Sequence, residues 1–274
     1  MFKRLFKRTT RSLQIPDHLW FEVVKYLPWF SRLSDSEQQR LRALASHFLA
    51  SKAITPAVGM TLTDEMRISI ATQACLPILE LDLTYYKGWQ EIVVYPGEFI
   101  VPREEMDEDG VVHEYFDTIA GEAWDSGPVV LSWNISDVSI LNPSFNIVIH
   151  EFAHKIDLRN GVADGMPPLS RQLHPNLNYV YWQRVMQDSF EDFSTRVKII
   201  ERSIPAHIDP ASVQADPYYA DLPLDVYAAE NISEFFAICS ESFFITPTQL
   251  QHGYPRVYDL LAQFYRQDTL TRLP

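Results

Sequence analysis

Residues 147–157 read Ile-Val-Ile-His-Glu-Phe-Ala-His-Lys-Ile-Asp, and the spacing of the polar side chains within this apolar run decides how the chain is interpreted. On an α-helix, positions four residues apart differ by about 40° in azimuth and about 6 Å in rise. The imidazoles of His150 and His154 can therefore reach one metal ion from the same helix face. Glu151 directly follows His150, which places its carboxylate at the flank of that ion, where it can hold a water molecule.

This arrangement is the H-E-x-x-H pattern of zinc peptidases. Because the pattern has to lie inside a helix, we predict a helix that starts at an Asn142–Pro143 cap and stops at Asn160–Gly161. The alternative is that both histidines are ordinary members of an amphipathic helix and are satisfied by hydrogen bonds in the core.

Composition and charge limit the class of protein. The chain has 274 residues, is 46% hydrophobic and 22% charged, and carries a formal net charge of −13. This balance is typical of a globular protein, and the negative charge argues against direct binding of nucleic acid, which needs a basic surface. We predict a basic mobile tail at residues 1–13 and a single domain with two lobes around a zinc cleft at residues 14–274.

Two features concern the compartment. Cys75 and Cys239 both lie in apolar helical context, so we expect two buried thiols in a reducing environment. No apolar run approaches the length of a membrane span. We therefore expect a cytoplasmic protein without a transmembrane segment.

The first part of the chain has helical periodicity. A helix is predicted over residues 33–52, with Ser34 and Glu37 as a capping box. Thr63 can cap a second helix, and Pro77 is expected to end or kink it.

The middle of the chain has the short β-branched runs of strands. Residues 91–95 form one predicted strand, and residues 99–101 are expected to continue the sheet. An acidic turn at residues 106–110 then predicts a hairpin with residues 111–116. Residues 128–133 form a further strand, for which the proline favours a sheet edge or a strand start.

Helical periodicity returns after residue 142. We predict helices over residues 179–203 and 233–244 and after Pro255, with a Pro-rich loop at residues 205–223. The predicted fold is α+β: N-terminal helices, a small mixed sheet with an edge strand beside the metal-binding helix, and a helical C-terminal lobe.

Catalytic zinc usually takes three protein ligands and leaves one position for water. Candidates for the third ligand are Glu230, Glu234, Glu241, His174 and His207. Glu234 stands at the rim of an otherwise apolar helix, where a buried carboxylate needs a counter-charge. The alternative is that Asn231 caps this helix and Glu234 reaches back to the cap.

Several stretches resemble the Mlc titration factor A family, bacterial zinc metallopeptidases whose active site is related to that of anthrax lethal factor. The matching stretches are residues 41–52, 68–77, 94–96, 127–133, 150–157 and 227–244. The resemblance covers most of the chain from about residue 15 to about residue 265. One departure is the segment between Arg196 and Val226, which is longer than is usual for the family.

The resemblance implies a zincin-like metallopeptidase fold with one Zn²⁺ per chain. It implies His150, His154 and Glu234 as ligands, Glu151 as the catalytic base and Tyr227 as a hydrogen-bond donor in the transition state. We expect an extended substrate to pair with the strand at residues 129–133, although that strand can equally be an ordinary sheet edge.

The activity that the resemblance implies is aminopeptidase-like hydrolysis of a peptide or a small aminoacyl substrate. The alternative is a regulatory protein that binds a transcription repressor of the Mlc type, with hydrolysis incidental. A purely structural zinc is a weaker alternative, since it requires a fourth protein ligand. The roles of Asp157 and Glu241 stay open. Asp157 either orients a ligand histidine or is solvated near a helix end.

Overall fold

The structure is a computed structural model that describes residues 14–97, 99–106, 112–119, 121–123, 127–133 and 146–273. Three predictions concern residues outside these ranges: the tail at 1–13, the acidic turn at 107–110 and the cap at Asn142–Pro143.

Three helices form the N-terminal part: α1 (Asp17–Val24), α2 (Asp35–Ser51) and α3 (Asp64–Cys75). The predicted capping box is confirmed, because the Ser34 side chain accepts from the Glu37 backbone and the Glu37 side chain accepts from the Ser34 backbone. Thr63 caps α3 by accepting a hydrogen bond from the amide of Met66. Two residues after the end of α3 stands Pro77, consistent with the steric restriction that proline places on a preceding helix.

A four-stranded sheet packs next to these helices, in the order β1 (Ala53–Pro56), β2 (Glu91–Tyr95), β6 (Val129–Ser132) and β5 (Gly121–Ala123). The strands β1, β2 and β6 are parallel, and β5 is antiparallel to β6. The predicted strand at residues 91–95 is confirmed with the same bounds.

The hairpin prediction is also confirmed, since β3 (Phe99–Met106) pairs antiparallel with β4 (Val112–Ile119). The expectation that residues 99–101 continue the main sheet is wrong, because β3 and β4 form a separate two-stranded sheet.

Of the two positions that Pro128 favoured for the strand at residues 128–133, the sheet edge is wrong and the strand start is confirmed. Strand β6 pairs with β2 on one side and with β5 on the other, so the strand is interior. Pro128 directly precedes the first paired residue, where its missing N–H costs no ladder hydrogen bond. The edge strand on this side of the sheet is β5. Both β5 and β6 contact the helix that carries the two histidines.

The remaining chain is helical. Its helices are α4 (Ile147–Asp157), α5 (Tyr179–Glu201), α6 (Asp216–Tyr219), α7 (Ile232–Ile245), α8 (Pro247–Gly253) and α9 (Pro255–Tyr265). The three helices predicted here are confirmed, and the Pro-rich loop contains the short α6.

Helix α4 lies at the centre of the molecule. All of its residues from Val148 to Asp157 are buried, and it contacts α3, α7 and the β5 and β6 strands. Fully buried Phe152 packs with ring centroids 5.0 Å from Tyr86, 5.6 Å from Phe48 and 5.7 Å from Trp89. These contacts hold α4 against the N-terminal helices and the sheet, and so fix the orientation of its histidines.

Two further expectations concern burial. Cys75 and Cys239 are both buried and unpaired, as predicted for two core thiols. Within the described segments, no helix is both long and apolar enough to cross a lipid bilayer.

Candidate metal centre

The start of α4 differs from the prediction. The capping residue is Asn146, whose side chain accepts a hydrogen bond from the amide of Ile149, and the helix is described from Ile147 onward, whereas the predicted cap at Asn142 lies outside the described residues. The chain has two asparagines four residues apart, and capping preference alone does not distinguish them. Distant residues select Asn146, since its Nδ2 donates to Gln73 Oε1 over 2.6 Å and its backbone N–H donates to Glu241.

Three potential ligand atoms from two helices lie close together. The Nε2 atoms of His150 and His154 are 3.1 Å apart. From α7, Glu234 Oε2 lies 3.1 Å from Nε2 of His150 and 3.2 Å from Nε2 of His154. Ligand atoms bound tetrahedrally to zinc at about 2.0–2.1 Å are separated by about 3.3 Å. The three side chains therefore have the spacing and the donor types that one such ion requires.

The electrostatics of the cluster also suit a cation. Burial opposes the positive charge of His150, but the carboxylates of Glu234 and Glu241 outweigh it and raise the pKa of His150 to about 10. Burial likewise opposes the negative charge of Glu234, yet the two imidazoles lower its pKa to about 2. Glu234 is therefore ionised at neutral pH, which is the form in which a carboxylate binds a metal.

Glu234 and the helix cap do not compete for the same side chain. Asn231 caps α7 by accepting from the amides of Ser233 and Glu234, while the Glu234 carboxylate lies against the two histidines. The capping role predicted for Asn231 is confirmed, and Glu234 is left to face the cluster.

The other candidates for a third ligand lie elsewhere. Glu230 and His207 are exposed, and His174 is within hydrogen-bond distance of the Phe264 carbonyl and the Ser170 amide. Glu241 is near the cluster, but its Oε2 lies 3.7 Å from Nδ1 of His150, on the side of the ring opposite Nε2. Among the described residues, His150, His154 and Glu234 form the one group with metal-ligand spacing.

The two residues expected to take part in chemistry flank this group. Glu151 is 3% exposed, next to His150 on α4. Tyr227 is 49% exposed, and its ring centroid is 6.4 Å from that of His150. Tyr227 lies in a 3₁₀ turn that begins after Asp225, whose side chain accepts from the Tyr227 amide.

The sequence interpretation missed Ser233, and one of the two environments that it left open for Asp157 is excluded by the structure. Asp157 is 0% exposed, so the expectation of a solvated side chain is wrong. Burial raises its pKa to about 6 against the opposing hydrogen bond from the Gly165 amide. Ser233 stands directly before Glu234, and its hydroxyl lies 3.1 Å from Nδ1 of His154. The sequence signal that could have identified Ser233 is its position in the first turn of α7, directly before the candidate ligand Glu234.

Comparison with known proteins gives a consistent result. The sequence profile of the family described as "Glucose-regulated metallo-peptidase M90" matches residues 2–266. Mlc titration factor A of Yersinia enterocolitica is 33% identical over 255 residues, which cover 93% of this chain and 87% of that protein. The proteins of the same name from Yersinia pestis and Yersinia pseudotuberculosis are each 34% identical over 255 residues, covering 93% of this chain and 86% of theirs.

These matches confirm the resemblance to the Mlc titration factor A family, and they extend over nearly the whole chain, including every residue of the cluster on α4 and α7. This chain therefore belongs to the glucose-regulated metallo-peptidase M90 family.

Proposed function

We propose that this protein is a zinc-dependent peptidase that hydrolyses peptide bonds, with aminopeptidase-like activity on small aminoacyl substrates. The observation that carries the proposal is the separation of 3.1–3.2 Å among the three ligand atoms of His150, His154 and Glu234. Two imidazoles and one carboxylate are a donor set of catalytic zinc sites. A structural zinc would need a fourth protein ligand, and the described group contains three.

Each residue of the centre then has a distinct task. A zinc ion bound by the three ligands would supply a Lewis acid and an acidified water. Glu151 accepts a proton from the attacking water and delivers it to the leaving amine. The Tyr227 hydroxyl donates a hydrogen bond to the oxyanion that develops on the scissile carbonyl, and one such donor is typically worth about 3 kcal/mol of barrier.

The solvent exposure of Glu151 and Tyr227 agrees with the roles proposed for them. Glu151 and the histidines are buried, whereas Tyr227 is half exposed. The general base therefore works in a site of low dielectric, where its interaction with a developing charge is strong. The oxyanion donor stands at the mouth of the cleft, where a substrate arrives. The cleft would lie between two lobes of a single domain at residues 14–274.

The test combines metal analysis with a panel of amino-acid anilides, assayed with and without a chelator. We expect one zinc per chain, hydrolysis that the chelator abolishes and zinc restores, and a Glu151→Gln variant that keeps zinc but loses hydrolysis. Glu230→Gln, a change in an exposed acid of the same region, serves as the matched control. Full activity in Glu151→Gln would show that the base is another group.

A second function is favoured by the relatives, whose name describes them as titration factors of Mlc. We infer that this chain also binds a transcription repressor of that type. Its net charge of −13 is complementary to a DNA-binding partner, and a repressor partner together with two buried thiols favours a cytoplasmic location.

The two functions separate in one comparison. Wild type, zinc-stripped protein and Glu151→Gln are tested for binding to an Mlc-type repressor. Undiminished binding by the two inactive forms would assign regulation to a surface that does not need the chemistry. Binding that disappears with zinc would make the metal centre part of the interface.

A further inference from the structure

The second nitrogen of His154 has a polar partner on α7. While Nε2 of His154 faces Glu234, its Nδ1 lies 3.1 Å from the Ser233 hydroxyl. The same hydroxyl lies 3.2 Å from Oδ2 of Asp157. His154, Ser233 and Asp157 thus form a continuous hydrogen-bonded series within the core.

The direction of these hydrogen bonds follows from the chemistry of the end members. An ionised carboxylate only accepts, so the Ser233 hydroxyl donates its proton to Asp157. The serine oxygen can then only accept a second hydrogen bond. The donor of that bond is His154, which therefore carries a proton on Nδ1. With this proton on Nδ1, Nε2 is the ring nitrogen that is available to bind a metal ion, and it is the atom that faces His150 and Glu234.

Asp157 is held in place by a built environment. Its Oδ2 also accepts from the Gly165 amide over 2.8 Å, and the Gly165 carbonyl accepts from the Trp182 indole over 2.7 Å. Gly165 has a φ of +70°, and a Cβ there would lie 3.0 Å from the Ile232 carbonyl oxygen. Burying a carboxylate is unfavourable unless it is hydrogen-bonded. The Gly165 amide provides such a bond to Asp157 from a backbone conformation that favours glycine.

The two histidines are supported in different ways. His150 has a carboxylate, Glu241, directly on its Nδ1 side at 3.7 Å, whereas the carboxylate of Asp157 reaches His154 through a hydroxyl. Both partners, Ser233 and Glu241, are on α7, the helix that also carries Glu234.

We propose that Asp157 and Ser233 are positioning residues that act in series to fix the tautomer and orientation of His154 for metal binding. The proposal rests on the proposed zinc centre and adds two residues to it. Neither residue belongs to the three-ligand group, and both act through His154. Their effect is on how strongly His154 binds the ion, and outer partners of this kind typically change metal affinity by about 10–100-fold.

The first test measures the zinc affinity of the full-length protein by competition with a chromophoric chelator. We expect Ser233→Ala to weaken binding by about 10–100-fold and Ser233→Thr, which keeps a hydroxyl, to restore most of the affinity. Ser240→Ala is the matched control, because this buried serine of α7 bonds to the Phe236 carbonyl and the Tyr265 hydroxyl, away from the histidines. It should leave the affinity unchanged.

A double-mutant cycle then shows whether the two residues act in series. In Asp157→Asn the amide oxygen can keep the two bonds made by Oδ2 while Oδ1, which has no hydrogen-bond partner among the described residues, is replaced by nitrogen. We expect this change to weaken zinc binding by itself but to have little further effect once Ser233→Ala has broken the series. Additive losses would mean that Asp157 acts on the ion through space, and the serial role would be rejected.

Proton NMR of the cobalt-substituted protein gives a measurement that does not change when only the stability of the fold is lowered. In the cobalt-substituted protein, the ring N–H protons of ligand histidines give shifted, exchangeable proton signals. We expect one such signal to exchange with solvent much faster in Ser233→Ala and to be recovered in Ser233→Thr. If Asp157→Asn does not fold, the comparison of the alanine and threonine variants still decides.

The outcomes are separable from those for the proposed function. A wild-type protein that takes up no zinc would reject the zinc centre itself. A wild-type protein that binds zinc and cleaves anilides, alongside a Ser233→Ala variant of equal zinc affinity and unchanged cobalt signals, would reject only the positioning role.

Discussion

Removal of the Glu234 carboxylate is expected to weaken zinc binding by about 10²-fold. Apparent binding free energies of structural zinc sites are about 10–16 kcal/mol for four ligands, hence about 2.5–4 kcal/mol per ligand. At about 1.4 kcal/mol per factor of ten, the loss of one ligand corresponds to about 10²–10³-fold.

The structure places the expected value at the lower end of that range. Glu234 and Glu241 together raise the pKa of His150 against the effect of burial, so a proton competes with the metal for this ring. Glu234→Ala removes one of the carboxylates that raise the pKa of His150, so the proton competes less strongly with the metal and part of the lost zinc affinity is recovered. Glu241 cannot replace the missing ligand, because it faces Nδ1 of His150 and not Nε2.

The assay is chelator competition with Glu234→Ala, together with elemental analysis after dialysis. Glu230→Ala, which changes an exposed acid four residues earlier, is the control and should bind zinc as the wild type does. Undiminished zinc in Glu234→Ala would refute the assignment of the third ligand. A loss of zinc confined to Glu230→Ala would transfer the role to that residue.

Three more predictions concern other parts of the molecule. Tyr227→Phe should lower kcat about 100-fold with unchanged zinc content, because one oxyanion donor is lost; an unchanged kcat would contradict its role. Phe152→Ala should lower the free energy of unfolding by about 3–5 kcal/mol, measured by denaturant titration, since a fully buried ring leaves a cavity; a loss below about 1 kcal/mol would show that the neighbouring rings close the space. Burial, with the nearby Lys155 charge, lowers the pKa of Lys52 to about 8 from 10.5, so the unfolded chain binds more protons between those values and the stability contributed by this group rises with pH there. The stability of wild type relative to Lys52→Met should therefore rise by about 1–2 kcal/mol from pH 8 to 10.5, a figure reduced for the partly exposed side chain; a flat difference would contradict the shift.

Local signals predicted most of the helices. The Ser34 and Glu37 capping box and the apolar stripe of α5 involve residues within a few turns of one another, so periodicity and capping preference suffice to find them. The H-E-x-x-H spacing is local in the same sense, because helix geometry alone directs His150 and His154 to one point.

Long-range features could not be predicted in this way. Strand β6 is interior because of β5, a three-residue Gly-Glu-Ala segment with no apolar alternation to mark it as a strand. The start of α4 is selected by bonds from Asn146 to Gln73 and Glu241. Both depend on residues that are distant in the sequence.

The surroundings of the centre show the same limit. Glu234 stands 80 positions after His154, and residue spacing alone left it as one of five candidates. The burial of Asp157 depends on the backbone of Gly165, which returns over the end of α4. The family resemblance identified Glu234 as the expected third ligand. The contact between the Ser233 hydroxyl and His154 is visible only in the folded structure.

The enclosure of α4 has a consequence for how such a protein diversifies. Because α4 is buried along nearly its whole length, it cannot tilt to admit a bulkier substrate without breaking the aromatic contacts of Phe152. Adaptation to new substrates is then expected in the chain between α5 and Tyr227, which is largely exposed and carries only short helical turns. The buried helix would then stay constant among relatives, while the exposed segment that leads to Tyr227 would carry the sequence differences that change which molecules bind.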